Sequence, residues 1–304
     1  MFNQPQRRRG VAVGALLGLA AAPLVAVSAG APAQAADPVE IQILATNDFH
    51  GRLENNTRGS EAGAATLAGA VKQLRAANPN TVFAAAGDLV GASTFTSFIQ
   101  NDKPTIDALN EAGLDVSAVG NHEFDQGYDD LVDRIMAPES ADNPEGGAEW
   151  QYIGANVRLR STGDPAVPAS WTQDFGDVRV GFVGAVTEEL PSLVSPAGIE
   201  DIRVDPIVSS VNAEAERLVD PMSGGADLVV LLVHEGASST ALESATDPDT
   251  VFGKIVNGVD ADIDAIVSGH THLAYNHAVT VPEWVTEGRA VTKRPVVSAG
   301  QYGS

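Results

Sequence analysis

Five short polar motifs close apolar runs in this chain: Asp48-Phe49-His50, Gly87-Asp88, Gly120-Asn121-His122-Glu123, His234-Glu235-Gly236 and Gly269-His270-Thr271-His272. Five of the six histidines fall inside them. Imidazole and carboxylate donors suit borderline divalent cations. Ligands carried on several strand ends can converge on the crevice beyond the carboxyl edge of an open α/β sheet. Together the motifs spell a site for two metal ions.

Taken singly, each motif is weaker. Asp48-x-His50 can aim a carboxylate and an imidazole at one ion from a strand end, but Asp is also a common turn residue. Gly87 lets the backbone bend so that Asp88 projects over the sheet end. In Gly120-Asn121-His122-Glu123-Phe124-Asp125, His122 is placed to give a proton to a departing alkoxide, and Asp125 to hold its other ring N–H. The same segment also reads as a helix start, with Asn121 as N-cap and Glu123 against the helix dipole. His234 ends an apolar run where a partnerless ring would be costly to bury. His270 and His272 alternate, so an extended chain presents both on one face. His277 belongs to no motif and reads as surface.

Strands are expected over 40–46, 81–86, 116–119, 151–155, 178–183, 228–233, 263–268 and 296–299, several too continuously apolar to have a wet face. Helices are expected over 61–77, 105–112, 128–136 and 205–219, with loops at 138–149, 161–170 and 188–206. This alternation predicts an α/β domain with helices covering its sheet or sheets.

The first 36 residues read as a signal peptide: Arg7-Arg8-Arg9, an uncharged stretch, then Ala33-Gln34-Ala35 as the cleavage site. A twin-arginine route fits the paired arginines. The mature chain, 37–304, is then expected to be secreted, periplasmic or held at the cell envelope, with no stable membrane span. Cleavage takes three arginines from 18 basic residues and none of the 40 acidic ones, leaving a formal charge of −25. Such a surface repels polynucleotide backbones and disfavours a nucleic-acid partner. The absence of cysteine excludes disulfides and thiolate ligands, so any metal must be held by His, Asp and Asn.

The spellings Ala45-Thr46-Asn47-Asp48-Phe49-His50-Gly51 and Val119-Gly120-Asn121-His122-Glu123-Phe124-Asp125 resemble the calcineurin-like metallophosphoesterase superfamily. Within it they look like the 5′-nucleotidase branch, which includes UDP-sugar hydrolases and 2′,3′-cyclic-nucleotide phosphodiesterases. The resemblance runs over 41–302, with all five motifs in order. It implies a four-layer α-β-β-α sandwich. It also implies that Asp48, His50, Asp88 and His272 hold one divalent ion and that Asp88, Asn121, His234 and His270 hold the other, with Asp88 as the bridge. Zn, Mn or Fe would suit those donors. A water held between the ions would attack phosphorus in line, while His122, oriented by Asp125, would serve the leaving oxygen. The implied substrate is a nucleotide or related small phosphate ester.

Members of this branch generally continue into a second domain that grips the nucleoside base. This chain stops shortly after a strand-like run at 296–299, which reads as a truncation, so the expectation is a metal site without the full substrate pocket. The alternatives are a 2′,3′-cyclic-nucleotide phosphodiesterase or UDP-sugar hydrolase with the same site and, from another class, a metal-binding surface protein or an inactive fragment.

Overall fold

The computed structural model describes residues 38–59 and 61–303; the signal peptide expected over 1–36 lies outside them. Among the described residues no helix is long and apolar enough to cross a membrane.

Four strands, β1 (Gln42–Thr46), β2 (Thr81–Ala85), β3 (Val116–Ala118) and β4 (Gln151–Ile153), lie side by side in that order, all parallel. Parallel neighbours need crossover connections. The helices Ala64–Ala77 and Lys103–Ala112 lie within the first two of these. After a short antiparallel pair formed by β5 (Val157–Leu159) and β8 (Ile202–Val204), the remaining strands build a second sheet. These are β6 (Ser170–Phe175), β7 (Val178–Val186), β9 (Leu228–His234), β10 (Ala265–Ser268), β11 (Ala274–Thr280) and β12 (Lys293–Ala299). Their order is β11-β12-β10-β9-β7-β6, parallel inside and antiparallel at both edges.

Side chains on a strand alternate between faces, and that alternation builds the layers. In β2, Phe83 and Ala85 pack with Val71, Ile106 and Leu109 of the outer helices. Val82 and Ala84 point the other way and meet Phe182, Val230, Leu232 and Val267 of the second sheet. In β9, Val229, Leu231 and Val233 pack on Ile207, Val211 and Leu218 of the helix Ile207–Val219 and on Phe252 and Ile255 of the helix Val251–Gly258. The result is helix, sheet, sheet, helix, the four-layer sandwich expected. Each fully buried side chain of this kind contributes about 1.5–3 kcal/mol.

Several local expectations are corrected. Strand β7 runs three residues past its expected end, to Val186. The expected helix over 128–136 is a single turn, Tyr128–Asp130, followed by a π-helical stretch, Leu131–Ile135, in which Met136 N–H donates to the Leu131 carbonyl. The 188–206 loop contains the short helix Leu190–Leu193 and β8. Strands β6 and β11 were not expected; as edge strands with a wet face they lack a continuous apolar run. His277 sits on β11, half-buried and stacked on Tyr275 at 5.2 Å, not on open surface.

Candidate metal centre

The motifs meet where the carboxyl ends of both sheets come together. Asp48 and His50 follow β1, Asp88 follows β2, and Asn121 and His122 follow β3. His234 is the last residue of β9, and His270 and His272 follow β10. Five of these residues hold left-handed backbone: Asp48 (φ 49), His50 (φ 48), Asp88 (φ 54), His270 (φ 70) and His272 (φ 59). Non-glycine residues rarely adopt that region and cluster at functional sites when they do. Gly120 is required by contact: a Cβ there would lie 2.1 Å from Asp88 Oδ1.

The donor atoms fall into overlapping groups. Asp48 Oδ1 lies 3.2 Å from His272 Nε2 and 3.8 Å from His50 Nε2. His234 Nε2 lies 3.0 Å from Asp88 Oδ2, 3.1 Å from Asn121 Oδ1 and 3.2 Å from His270 Nδ1. The same Asp88 Oδ2 is 3.7 Å from His50 Nε2, so one carboxylate oxygen faces both groups. Ligand atoms about 2.1 Å from one six-coordinate cation stand about 3 Å apart, and the separations of 3.0 Å to 3.2 Å match that edge, those to His50 being wider. Asp48 Oδ1 and His50 Nε2 are buried with no hydrogen-bond partner among the described residues. Orphaned buried acceptors of this kind fit a divalent cation.

The outward atoms of the same residues are fixed by hydrogen bonds. His50 Nδ1 donates to the Gly91 carbonyl at 3.0 Å and His234 Nδ1 to the Ala86 carbonyl at 2.7 Å, leaving each Nε2 lone pair free for an ion. Asp48 Oδ2 accepts from Asn47 Nδ2 at 2.6 Å and from His270 N–H at 3.0 Å. Burial lowers the His50 pKa below its ordinary value. Burial also disfavours charge on His234, but the Asp88 carboxylate overrides it and raises that ring to about 10. Without a metal, a proton on His234 meets the demand for positive charge that a cation would otherwise satisfy.

His122 borders the cluster, its donor atom grouped with those of His50 and Asp88. Its Nδ1 is 2.9 Å and 3.0 Å from the two Asp125 oxygens, and that hydrogen bond raises its pKa. The helix-start reading of this segment is not what forms: Asn121 makes no side-chain cap on the short 3₁₀ turn His122–Phe124, its oxygen facing His234 instead.

Glu123, expected at most as a dipole partner, is a buried tie. Its carboxylate accepts the N–H groups of Asp88 (2.9 Å), Leu89 (2.8 Å) and Gly120 (2.6 Å), clamping the β2 and β3 ends together. Burial pushes its pKa up to about 7. Asn47 does similar work between β1 and β12, donating to the Gly300 carbonyl at 2.6 Å and accepting from Ala299 N–H at 2.8 Å. Their positions inside the motifs were the only sequence signal. Tyr302, which lies against His50 and His272, carried none.

The calcineurin-like phosphoesterase family matches residues 41–274, from before β1 into β11. The chain belongs to that family. It is 31% identical over 259 residues to endonuclease YhcR of Bacillus subtilis (strain 168), a match covering 79% of this chain and 20% of that protein. It is 27% identical over 252 residues to the 5′-nucleotidase of Bos taurus, covering 78% of this chain and 39% of that one. The 5′-nucleotidase precursor of Thermus thermophilus shares the fold, with a TM-score of 0.65 at 21% identity, over 86% of this chain and 49% of that chain. The chain thus spans between a fifth and a half of the length of these proteins.

Proposed function

We propose that residues 37–304 are the catalytic domain of an exported dinuclear-metal phosphoesterase that hydrolyses nucleotide phosphate esters in the manner of a 5′-nucleotidase. The observation that carries this reading is the Asp88 carboxylate, whose Oδ2 faces His234 at 3.0 Å on one side and His50 at 3.7 Å on the other. Asp48, His50, Asp88 and His272 hold one cation, and Asp88, Asn121, His234 and His270 the second; Zn, Mn and Fe all suit these donors. When bound, such a pair supplies Lewis acidity toward the phosphoryl oxygens and a water of lowered pKa.

The chain's own residues do the rest. Asp88 and Asp48 would offset the charge of the cations they hold. His122, with Asp125 holding Nδ1, keeps a proton on the ring for the oxygen that departs with the nucleoside. Local positive charge is needed because a chain with formal charge −22 repels an anionic ester over most of its surface. That charge also disfavours polynucleotides, although the relative YhcR is named an endonuclease. The bovine 5′-nucleotidase relative supports the nucleotide.

Phosphate release from AMP and from p-nitrophenyl phosphate, with Mn or Zn added, tests the reading. Wild type should turn over at least one ester, and Asp88→Asn and His122→Ala should be slower by about a hundredfold or more. Equal rates in all three proteins would overturn it.

A further inference from the structure

Arg52 stands two residues beyond His50, with its guanidinium carbon 4.0 Å from the centre of the Tyr302 ring. That ring approaches His272 at 5.5 Å and His50 at 6.0 Å, both near edge-on. The Tyr302 backbone N–H donates to the Asp48 carbonyl at 2.8 Å, which fixes the ring beside the metal-facing histidines. Two ring contacts therefore connect the Arg52 cation to the candidate metal centre.

The donors of that cation are little used. Among the described residues its one ion pair, with Glu61, is 3.5 Å long, and its Nε is buried without a partner. Arg134, Arg179 and Arg217, by contrast, each close short forks on a carboxylate. A guanidinium carries five N–H groups in a planar array suited to phosphate and carboxylate. Contact with Tyr302 uses the face of the guanidinium and leaves its in-plane N–H groups to Glu61 and to solute. The side chain remains 26% exposed, so solute can reach it.

We propose that Arg52, laid on Tyr302, is a second anion subsite beside the metal centre. It favours phosphate esters bearing a further negative group, such as a nucleoside diphosphate, over esters with the scissile phosphoryl alone. This rests on the phosphoesterase reading above. Cations that neutralise the reacting phosphoryl leave a second phosphate facing an acidic protein, and Arg52 offsets that repulsion. Glu61 competes for the same guanidinium and so weakens the preference.

The test is the ratio of kcat/KM for ADP to that for AMP, from initial phosphate release at matched free Mn, in wild type, Arg52→Ala, Arg52→Lys and Glu61→Gln. The ratio should fall about tenfold in Arg52→Ala, fall less in Arg52→Lys, and rise about twofold in Glu61→Gln, as expected for gaining or losing charge-assisted hydrogen bonds at a partly exposed site. Added salt should lower the wild-type ratio. A ratio unchanged in Arg52→Ala overturns the proposal. Should that variant fail to fold, no change in both Arg52→Lys and Glu61→Gln overturns it as well. If wild type cleaves neither nucleotide, the nucleotide part of the hydrolase reading fails on its own. Calorimetric affinities for ADP and AMP then decide the subsite, with the same dependence on Arg52 supporting it and equal dependence for both nucleotides overturning it.

Discussion

The Glu123 carboxylate accepts the Asp88 backbone N–H at 2.9 Å, so the residue that follows His122 in sequence also holds the carboxylate that faces both donor groups. The same Glu123 oxygen takes the Gly120 N–H at 2.6 Å. One buried side chain thereby sets the separation of two strand ends and, through them, of Asp88, Asn121 and His122.

Glu123→Gln keeps the size but replaces one acceptor oxygen with an NH₂ group that must face a backbone N–H. Leaving one such buried donor unsatisfied is expected to cost about 1–3 kcal/mol, read as a lower urea midpoint. Metal affinity should drop by about 10–100-fold, as when a ligand-orienting partner is lost. A variant with wild-type metal affinity would show that the tie does not position Asp88.

The raised pKa of His234, about 10, makes a sharp statement about the metal-free protein. A ring whose pKa is higher folded than unfolded adds stability that is complete below about 6.5 and is lost as pH climbs toward the folded value. Chelator-treated protein should therefore lose thermal stability between about pH 6.5 and about pH 10, and metal loading should flatten that dependence. Titrating metal into stripped protein near pH 8 should release about one proton from His234, measurable with a pH indicator in weak buffer. No proton release would count against His234 as a ligand.

Asp125 raises the His122 pKa chiefly through its hydrogen bond. A proton-donating ring held by a carboxylate stays protonated to higher pH than the same ring without it, so His122 should set the alkaline fall of kcat/KM. Asp125→Asn keeps an acceptor but removes the charge, and the alkaline limb should move to lower pH. A limb that stays put would remove Asp125 from its orienting role.

Arg294 lies far from this chemistry in function. It is 2% exposed, donating from Nε to the Ile263 carbonyl at 2.7 Å and from a terminal nitrogen to the Asp260 carbonyl at 2.6 Å. These bonds fasten β12 to the segment that leads into β10. Arg294→Met should destabilise the fold by about 2–4 kcal/mol by orphaning both carbonyls, while saturating metal restores near wild-type kcat. Denaturation by urea and a rate assay on the folded fraction would check both halves.

The parallel core strands were legible because buried strands write continuous apolar runs, as in Leu228–His234. The edge strands β6 and β11 were not, since exposed polar residues such as Thr172 and Asn276 alternate with half-buried or buried ones and imitate loop. Within the site, the histidines and aspartates stood out by type and position. Glu123 did not, because a glutamate after a histidine carries no mark of whether it will be solvated or will accept backbone N–H groups from two strand ends. Tyr302 and Arg52 were hidden for a related reason: they are 250 positions apart and acquire meaning only as a stacked pair.

The sequence by itself determined the candidate donors, because metal chemistry restricts ligands to few residue types and the strand ends that carry them are marked by apolar runs and glycines. Tertiary structure alone decided which donors share an ion-sized space, which nitrogen of each ring is left free, and where the uncommitted guanidinium lies. Those are distances between residues remote in the chain, fixed by the packing of two sheets against each other, and no local pattern encodes them.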